Sequence, residues 1–311
     1  MSRSPVAGRP RDAAAGSTRG AHEQPRGGDR WGIYEKALPA GLSWAGMLEA
    51  AASAGYQFVE ISIDESDERL SRLEWPAGRK LELHAALSAS PVPIGSICLS
   101  AHRKYSLGSA SARVRERGLT IMRRAIAFAV EFGPRIIQVP GYDVFYEEST
   151  EETRGLYLEG LCRSAEWARE AGVMLGLENV DCPVADSLSK ALRFVGAAGT
   201  PWFQLYPDVG NLAAMGHDVP SQLREAGSHL VALHVKDARP GDIRRVPYGE
   251  GIVDFGAVFR TLRDIGYAGP LVVEMWNEGE QDPIAVAARS LRWLKEARDA
   301  AQPRQRAGGN A

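Results

Sequence analysis

Short apolar runs alternate with longer segments of helical period from Trp31 to about Ala300. Apolar runs bounded by glycine, proline or polar residues are typical of buried strands. Helical periodicity follows them, for example at Val114–Phe132, Glu152–Ala171 and Phe255–Ile265. The pattern predicts eight strands, with the sequences GIYEKAL, FVEISI, IGSICLS, RIIQVP, MLGLENV, FQLYPDVG, LVALHVKD and PLVVEMW.

Eight strands that are each followed by a helical segment predict an α/β fold, a single (β/α)8 TIM barrel. A doubly wound open sheet is the rival fold, but the turn after GIYEKAL has no glycine-rich phosphate fingerprint. We expect one barrel domain over residues 31–300. Residues 1–30 and 301–311 are polar and rich in arginine, glycine and alanine, which predicts a disordered extension and a disordered tail rather than a secretory signal.

Strand phase indicates which side chains point into the barrel. Successive side chains of a strand lie on opposite faces. In LVALHVKD, the apolar Leu233 and Val235 share one face, and His234 and Lys236 share the other. An apolar face can pack under the helices, so the opposite face is expected to point inward.

The same phase turns one titratable residue inward on each of the fifth to eighth strands, near the carboxyl end where barrel enzymes place their active sites. The four residues are Glu178, Asp208, His234 and Glu274. Three carboxylates and one imidazole suit one divalent ion such as Zn, Mn, Mg or Co, and without a cation the carboxylates would repel one another. A single strand histidine is more often structural, and Asp208 before VGN fits a turn or cap. The prediction therefore depends on all four together.

Two polar segments follow the second and third strands at the same end. CLSAHRKY contains Ser100, His102 and Arg103, which fit either an anion-binding loop or a solvated basic turn. DESDERLSRL contains Arg69 and Arg72, which could hold a phosphate or pair with the acids of their own segment. The sequence leaves both alternatives open.

Three further residues are candidates for substrate contact. Lys36 ends the first strand and Lys236 the seventh, and either could contact a sugar oxygen or balance the carboxylates. Trp276 could wall the pocket, although aromatic residues at such positions as often fill the core. Cys182 lies near Glu178 but has no base beside it, so we assign it no nucleophilic role.

Composition excludes several classes of protein. The 311 residues are 24% charged and 44% hydrophobic with a net charge of −2, so nothing indicates a nucleic-acid or anionic-membrane partner. No apolar stretch approaches the length of a membrane span. The three widely spaced cysteines fit a reducing compartment, which predicts a cytoplasmic protein.

Several longer stretches resemble a known family. From WGIYEKALPAG to the last helix, the chain resembles the xylose-isomerase-like TIM barrel superfamily, and within it the L-ribulose-5-phosphate 3-epimerases, also known as hexulose-6-phosphate isomerases. Any one stretch alone would be weak, whereas together they are specific. The stretches are FVEISIDESDERLSRLEW, CLSAHRKYSLGS, AGVMLGLENVDCP, SLSKALRF, PWFQLYPDVGNL, HVKDARPG, VPYGEGIVDF and GPLVVEMWNE.

The resemblance implies roles for the four inward residues. It makes Glu178, Asp208, His234 and Glu274 the metal ligands, and Glu178 and Glu274 also the acid–base pair. The implied reaction interconverts L-ribulose 5-phosphate and L-xylulose 5-phosphate through a metal-stabilised enediolate, in pentose or L-ascorbate catabolism. A small sugar-phosphate substrate, one divalent metal ion and a homodimer are implied as well.

Three alternatives stay open at this point. The first is an aldose–ketose isomerase, or an epimerase of another sugar without a phosphate. The second is an endonuclease IV-like phosphodiesterase, but such a multi-metal site is rich in histidine and the chain has only six, with His22 in the extension and His84 in a predicted helix. The third is a non-catalytic sugar-binding barrel, which would be expected to lack one of the four inward residues.

Overall fold

The computed structural model describes residues 30–276 and 279–302. All neighbouring strands pair in parallel. The strands are β1 Trp31–Tyr34, β2 Phe58–Ser62, β3 Ile94–Cys98, β4 Ile136–Pro140, β5 Met174–Glu178, β6 Phe203–Leu205, β7 Leu233–Val235 and β8 Leu271–Val273.

The sheet closes into a barrel. Its strand order is β6-β5-β4-β3-β2-β1-β8-β7, which leaves β6 and β7 as the last pair. Two parallel bridges join them, Leu205 with Leu230 and Asp208 with His234. The predicted (β/α)8 barrel is therefore confirmed, and all eight strands lie within the predicted apolar runs or within one residue of them.

Helices follow the strands along the chain. Those of the described residues are α1 Trp44–Ser53, α2 Asp67–Leu70, α3 Ala77–Ala89, α4 Ala112–Phe132, α5 Glu151–Ala171, α6 Leu188–Ala198, α7 Val209–Ala214, α8 Val219–Ala226, α9 Phe255–Asp264 and α10 Pro283–Ala300. In this part of the chain no helix is both long and apolar enough to cross a membrane.

Local capping sets the bounds of the two longest helices. The Thr150 hydroxyl accepts a hydrogen bond from the Thr153 amide, and the Thr153 hydroxyl accepts one from the Thr150 amide. This reciprocal cap starts α5 one residue before the predicted start. Gly133 ends α4 with a φ of +94°, a conformation that glycine adopts without strain.

The outward faces of the strands form the main core with the helices. Leu233 and Val235 of β7 and Leu271 and Val273 of β8 are all buried in it, as strand phase predicts. The residues expected to be disordered at the chain ends lie almost entirely outside the described part, since positions 1–29 and 303–311 are not included. Ala301 caps α10 and is buried.

Candidate active site

Four strands each bring one titratable side chain to the carboxyl end of the barrel. Glu178 ends β5, Asp208 precedes α7, His234 is the central residue of β7, and Glu274 follows β8. All four are buried. One nitrogen or oxygen atom from each lies within 4.8 Å of those of the other three, and among residues 30–276 and 279–302 this is the one such group of possible metal ligands.

Asp208 serves both as a helix cap and as a member of this group. Its Oδ1 accepts a hydrogen bond from the Asn211 amide at 2.9 Å, which caps α7. The side chain of Asn179 holds the Asp208 backbone from both sides, by accepting from its amide and donating to its carbonyl. With Oδ1 engaged in the cap, Oδ2 is directed at Lys236, 2.6 Å away.

His234 lies among three carboxylates. Its Nδ1 is 2.8 Å from Glu178 Oε1 and 3.8 Å from Glu274 Oε2. Its Nε2 is 2.7 Å from Oε1 of Glu60, a fully buried residue of β2. Sequence reasoning missed Glu60, although the alternation in FVEISI places it on the same face as Phe58.

Each of the two glutamates predicted as the acid–base pair has its own hydrogen-bond donor. Gln138 of β4 donates from Nε2 to Glu178 Oε2 at 2.5 Å. Lys236 donates to Glu274 Oε2 at 2.9 Å. Glu178 thus faces a neutral amide and Glu274 an ammonium group, so the electrostatic environments of the two carboxylates differ.

Burial and the neighbouring charges shift the pKa values of three members of the group. Burial, with the neighbouring charge of Glu274, raises the pKa of Asp208 to about 7 against the opposing effect of Lys236. Glu274 is also buried, which by itself would raise its pKa, but the charges of Lys236 and His234 hold that pKa well below its usual range. Burial disfavours the imidazolium of His234, yet the carboxylates of Glu60 and Glu274 raise its pKa well above the usual value.

This donor set fits a divalent cation. One imidazole nitrogen and three carboxylate oxygens are ligands that Zn, Mn, Mg and Co accept. The carboxylates crowd together in a buried site, where burial first and the neighbouring Glu274 second raise the pKa of Asp208. A bound cation would relieve this crowding, with Glu178, Asp208, His234 and Glu274 as the residues that hold it.

A cavity opens above the group at the carboxyl end of the barrel. Of the residues predicted from sequence, five line it together with Glu178 and Glu274. These five are Lys36, Ser100, Arg103, Lys236 and Trp276. The structure thus brings most of the predicted site residues into one cavity.

Two predicted residues lie away from this cavity. His102 is buried behind it, with Nε2 3.1 Å from the Gly118 carbonyl, and burial lowers the pKa of His102 to about 4. Arg69 lies to the side, where its guanidinium pairs with Glu35 at 2.7 Å and with Asp64 at 3.6 Å. Pairing with an acid of its own segment, one of the two alternatives for Arg69, is therefore present through Asp64, while the shorter pair is with Glu35 outside that segment.

The cavity rim also contains Arg244, which sequence reasoning did not name. Arg244, on the loop between β7 and α9, lies over the Trp276 ring at 5.6 Å. The predicted Arg103 lies over the rings of Tyr142 and Phe145 at 5.8 and 5.5 Å. Arg244 lies in DIRRVPYG, a loop segment without periodicity, so nothing in its local pattern places it at the mouth.

Comparison with known proteins agrees with this architecture. Residues 48–297 match the model of the xylose isomerase-like TIM barrel family. The chain belongs to this family. Because the match spans most of the barrel, the family applies to the whole described fold rather than to one segment.

Individual relatives indicate a more specific group within this family. L-ribulose-5-phosphate 3-epimerase UlaE of Escherichia coli O157:H7 is 50% identical over 264 residues, which cover 85% of this chain and 93% of that protein. UlaE of Escherichia fergusonii is 49% identical over the same length. The resemblance to L-ribulose-5-phosphate 3-epimerases is therefore confirmed.

Solved structures support the fold. An L-ribulose 3-epimerase structure matches with a TM-score of 0.71 and 21% identity, covering 89% of this chain and 99% of that one. A D-allulose 3-epimerase from Methylomonas sp., in complex with D-allulose, matches with a TM-score of 0.73 and 18% identity, covering 88% and 98%. At such identities the likeness is one of fold alone.

Proposed function

We propose that the chain is a divalent-metal-dependent 3-epimerase that interconverts L-ribulose 5-phosphate and L-xylulose 5-phosphate. The observation that carries this proposal is the convergence of Glu178 and Glu274 with Asp208 and His234 at one buried point below an open cavity. The 50% identical relatives bear the name of this activity.

Epimerisation at C3 of a 2-ketose requires removal of the proton next to the ketone and its return to the opposite face. In the closed barrel, β5 and β8 are separated by β6 and β7 on one side and by four strands on the other. Glu178 and Glu274 therefore reach a substrate in the cavity from different sides. One glutamate, as the carboxylate, removes the C3 proton and becomes the carboxylic acid, while the other, in its protonated form, donates its proton to the opposite face and becomes the carboxylate.

A divalent ion held by the four residues would supply a Lewis acid that stabilises the negative charge of the enediolate. The chain's own residues orient the two bases. Gln138 fixes Glu178 through one oxygen, and Lys236 fixes Glu274 through one oxygen. Each base thereby has a defined position before substrate binds.

We assign the phosphate to the rim beside Lys36. Lys36 lines the cavity above the ligand group and also a second depression to which Arg69 and Arg72 contribute. These three cations are paired with Glu35 and Asp64, and Glu68 and Glu280 also line the depression. The support for a phosphorylated substrate is therefore the geometry of the two guanidinium groups, which suits phosphate oxygens, and not a net positive charge.

The other functional classes receive less support. An endonuclease IV-like site needs several histidines around several metal ions, whereas the described ligand group contains one histidine. A non-catalytic barrel is not favoured, because all four inward positions keep a ligating side chain. An aldose–ketose isomerase would use the same ligands, so only the position of hydrogen exchange distinguishes it from the epimerase.

The test compares L-ribulose 5-phosphate with L-ribulose on chelated and remetallated enzyme, in deuterium oxide. We expect activity only after a divalent ion is restored, a strong preference for the phosphorylated sugar, and deuterium at C3 of the product. A preference for free L-ribulose would refute the phosphate assignment. Deuterium at C1 or C2 without C3 exchange would identify an aldose–ketose isomerase instead.

A homodimer and a cytoplasmic location stay predictions. Cys98, Cys162 and Cys182 are all free thiols, in agreement with a reducing compartment. Sedimentation at several protein concentrations would measure the oligomeric state.

A further inference from the structure

Glu60 is a buried carboxylate that the proposed chemistry does not use. It lies on β2 with no exposed surface. It does not line the cavity in which substrate would bind. A buried, ionisable side chain is destabilising unless hydrogen bonds satisfy it, so its partners indicate what it does.

Three side chains from three different parts of the barrel meet Glu60. The Tyr206 hydroxyl donates to Oε2 at 2.6 Å, and the Ser96 hydroxyl donates to the same oxygen at 2.7 Å. The other oxygen, Oε1, lies 2.7 Å from His234 Nε2. All three partners are buried, so the carboxylate is fixed in one orientation.

This arrangement bears on the tautomer that His234 adopts when a metal ion is bound. Both ring nitrogens face carboxylate oxygens, Nδ1 toward Glu178 and Nε2 toward Glu60. A metal ion held by the four residues would occupy the Nδ1 side, so Nε2 is the nitrogen left to donate a hydrogen bond to Glu60 Oε1. The lone pair then lies on Nδ1, the nitrogen that faces Glu178 and Glu274. Without such a partner either ring nitrogen of a neutral histidine could carry the proton, and only one tautomer directs a lone pair at the ligand group.

We infer that Glu60 is a positioning residue, which holds His234 in the Nε2-protonated tautomer and orients Nδ1 as the ligand for the metal ion. The inference rests on the proposed metal centre. Glu60 itself contacts neither substrate nor metal, and acts only through His234. Carboxylate partners of ligating histidines commonly raise metal affinity by about 10- to 100-fold.

A purely structural role is the competing explanation. The Tyr206–Glu60–Ser96 hydrogen bonds join β2, β3 and the segment after β6, so they could simply stabilise the barrel. The two explanations differ in what they predict for the metal. A structural role predicts lower stability with unchanged metal affinity in the folded protein, whereas the positioning role predicts weaker metal binding in a protein that still folds.

The experiment measures the dissociation constant of Zn²⁺ or Mn²⁺ by chelator competition on the full chain without substrate. Glu60→Gln keeps the size of the side chain but replaces a carboxylate, which only accepts hydrogen bonds, with an amide that can also donate them. We expect the dissociation constant to rise about 10- to 100-fold. The matched control is Glu35→Gln, which neutralises another buried glutamate whose partners are Arg69 and Arg72. Metal affinity is expected to stay unchanged in this control.

A second pair of variants covers the possibility that Glu60→Gln fails to fold. Tyr206→Phe removes one hydroxyl that holds Glu60, and Tyr56→Phe removes a buried hydroxyl that donates to the distant Ala287 carbonyl. We expect metal binding to weaken several-fold in Tyr206→Phe only. Equal metal affinities in the two tyrosine variants, or an unchanged affinity in a folded Glu60→Gln, would overturn the inference.

Nuclear magnetic resonance gives a readout independent of affinity. Long-range proton–nitrogen spectra of the Zn²⁺-loaded protein, labelled with ¹⁵N-histidine, identify which ring nitrogen of His234 carries the proton. We expect the proton on Nε2, and a proton on Nδ1 would contradict the inference. If wild-type protein bound no divalent ion at all, the proposed function would fail instead, so the two failures are distinguishable.

Discussion

The two ends of the barrel interior are built from the same strands but have opposite chemistry. At the amino end, Phe58, Ala232 and Val272 pack together in a small apolar cluster. Two residues further along the same faces lie Glu60, His234 and Glu274. On each of these strands, two positions along the chain thus separate an apolar core residue from a residue of the polar site.

The amino end of the barrel interior contributes to stability, and the carboxyl end holds the candidate site. Phe58 fills its end tightly, because Gly32 and Gly95 leave room for its ring and a Cβ at either position would overlap it. The carboxyl end instead collects buried ionisable groups, and burial raises the pKa of Asp208 to about 7. Buried ionisable groups with shifted pKa values are typical of functional sites.

The largest expected effect follows from neutralising a base at the polar end. Glu178→Gln and Glu274→Gln should each lower turnover about 10³-fold or more, because each removes one of the two proton-transfer groups. Circular dichroism should report an intact fold. Each variant should also lose deuterium exchange from only one of the two epimers, since the other base remains. Near-normal turnover in either variant would rule out the two-base mechanism.

A substitution at the apolar end should lower stability and leave metal binding unchanged. Phe58→Ala is expected to lower the free energy of unfolding by about 3–5 kcal/mol, because the ring leaves a cavity that neighbouring glycines cannot fill. The dissociation constant of the metal ion should change little in the folded protein. Urea unfolding and chelator competition measure the two quantities. A large loss of metal affinity without a loss of stability would mean that the two ends are not separable.

A third prediction concerns a buried histidine without carboxylate neighbours. Burial lowers the pKa of His102 to about 4, opposite in direction to the shift of His234. Below pH 6.5 the unfolded chain binds a proton that the folded protein does not, so stability falls as the pH falls from 6.5 to 4. This group alone should remove about 3 kcal/mol between pH 7 and pH 4.

The variant His102→Gln keeps a donor for the Gly118 carbonyl but does not titrate. The difference in free energy of unfolding between this variant and wild type should therefore change with pH by the same amount. Urea unfolding at a series of pH values measures it. A difference that does not vary with pH would show that His102 keeps its ordinary pKa in the folded protein.

The smallest effect is expected at Lys236, which lies within the ligand group. Its ammonium pairs with Asp208 and Glu274, two of the carboxylates that would hold the metal ion. Since two cations compete for the same oxygens, Lys236→Met should tighten metal binding about five- to tenfold, or about 1 kcal/mol. Chelator competition measures this. Weaker binding would mean that the positioning of Glu274 by Lys236 contributes more to metal affinity than the competition between the two cations costs.

Much of the fold follows from local pattern. Strand phase in LVALHVKD predicts correctly that Leu233 and Val235 face the helices, because side-chain alternation is a property of any extended strand. The same rule brings Glu178, Asp208 and Glu274 to one end of the barrel. Parallel strands in one sheet present their carboxyl ends together, so residues distant in sequence converge without further information.

Other parts of the site depend on contacts between distant segments. The environment of His102 could not be predicted, because a short turn after β3 directs its ring toward the Gly118 carbonyl of α4 and away from the cavity. Arg244 reaches the cavity through an irregular loop that has no periodicity to indicate its direction. Loop side chains are positioned by what they pack against, which a local pattern does not contain.

Glu60 shows what the local strand pattern predicts and what only contacts between distant segments determine. The alternation in FVEISI is sufficient to place Glu60 inside the barrel, because strand geometry is local. Its hydrogen bond to Ser96 follows from the pairing of β2 with β3, whereas its contacts with Tyr206 and His234 arise only when the sheet closes and brings β2 opposite β6 and β7. Strand periodicity therefore determines which side chains face the interior. Barrel closure determines which of them meet, because the distances across the interior depend on the register of all eight strands.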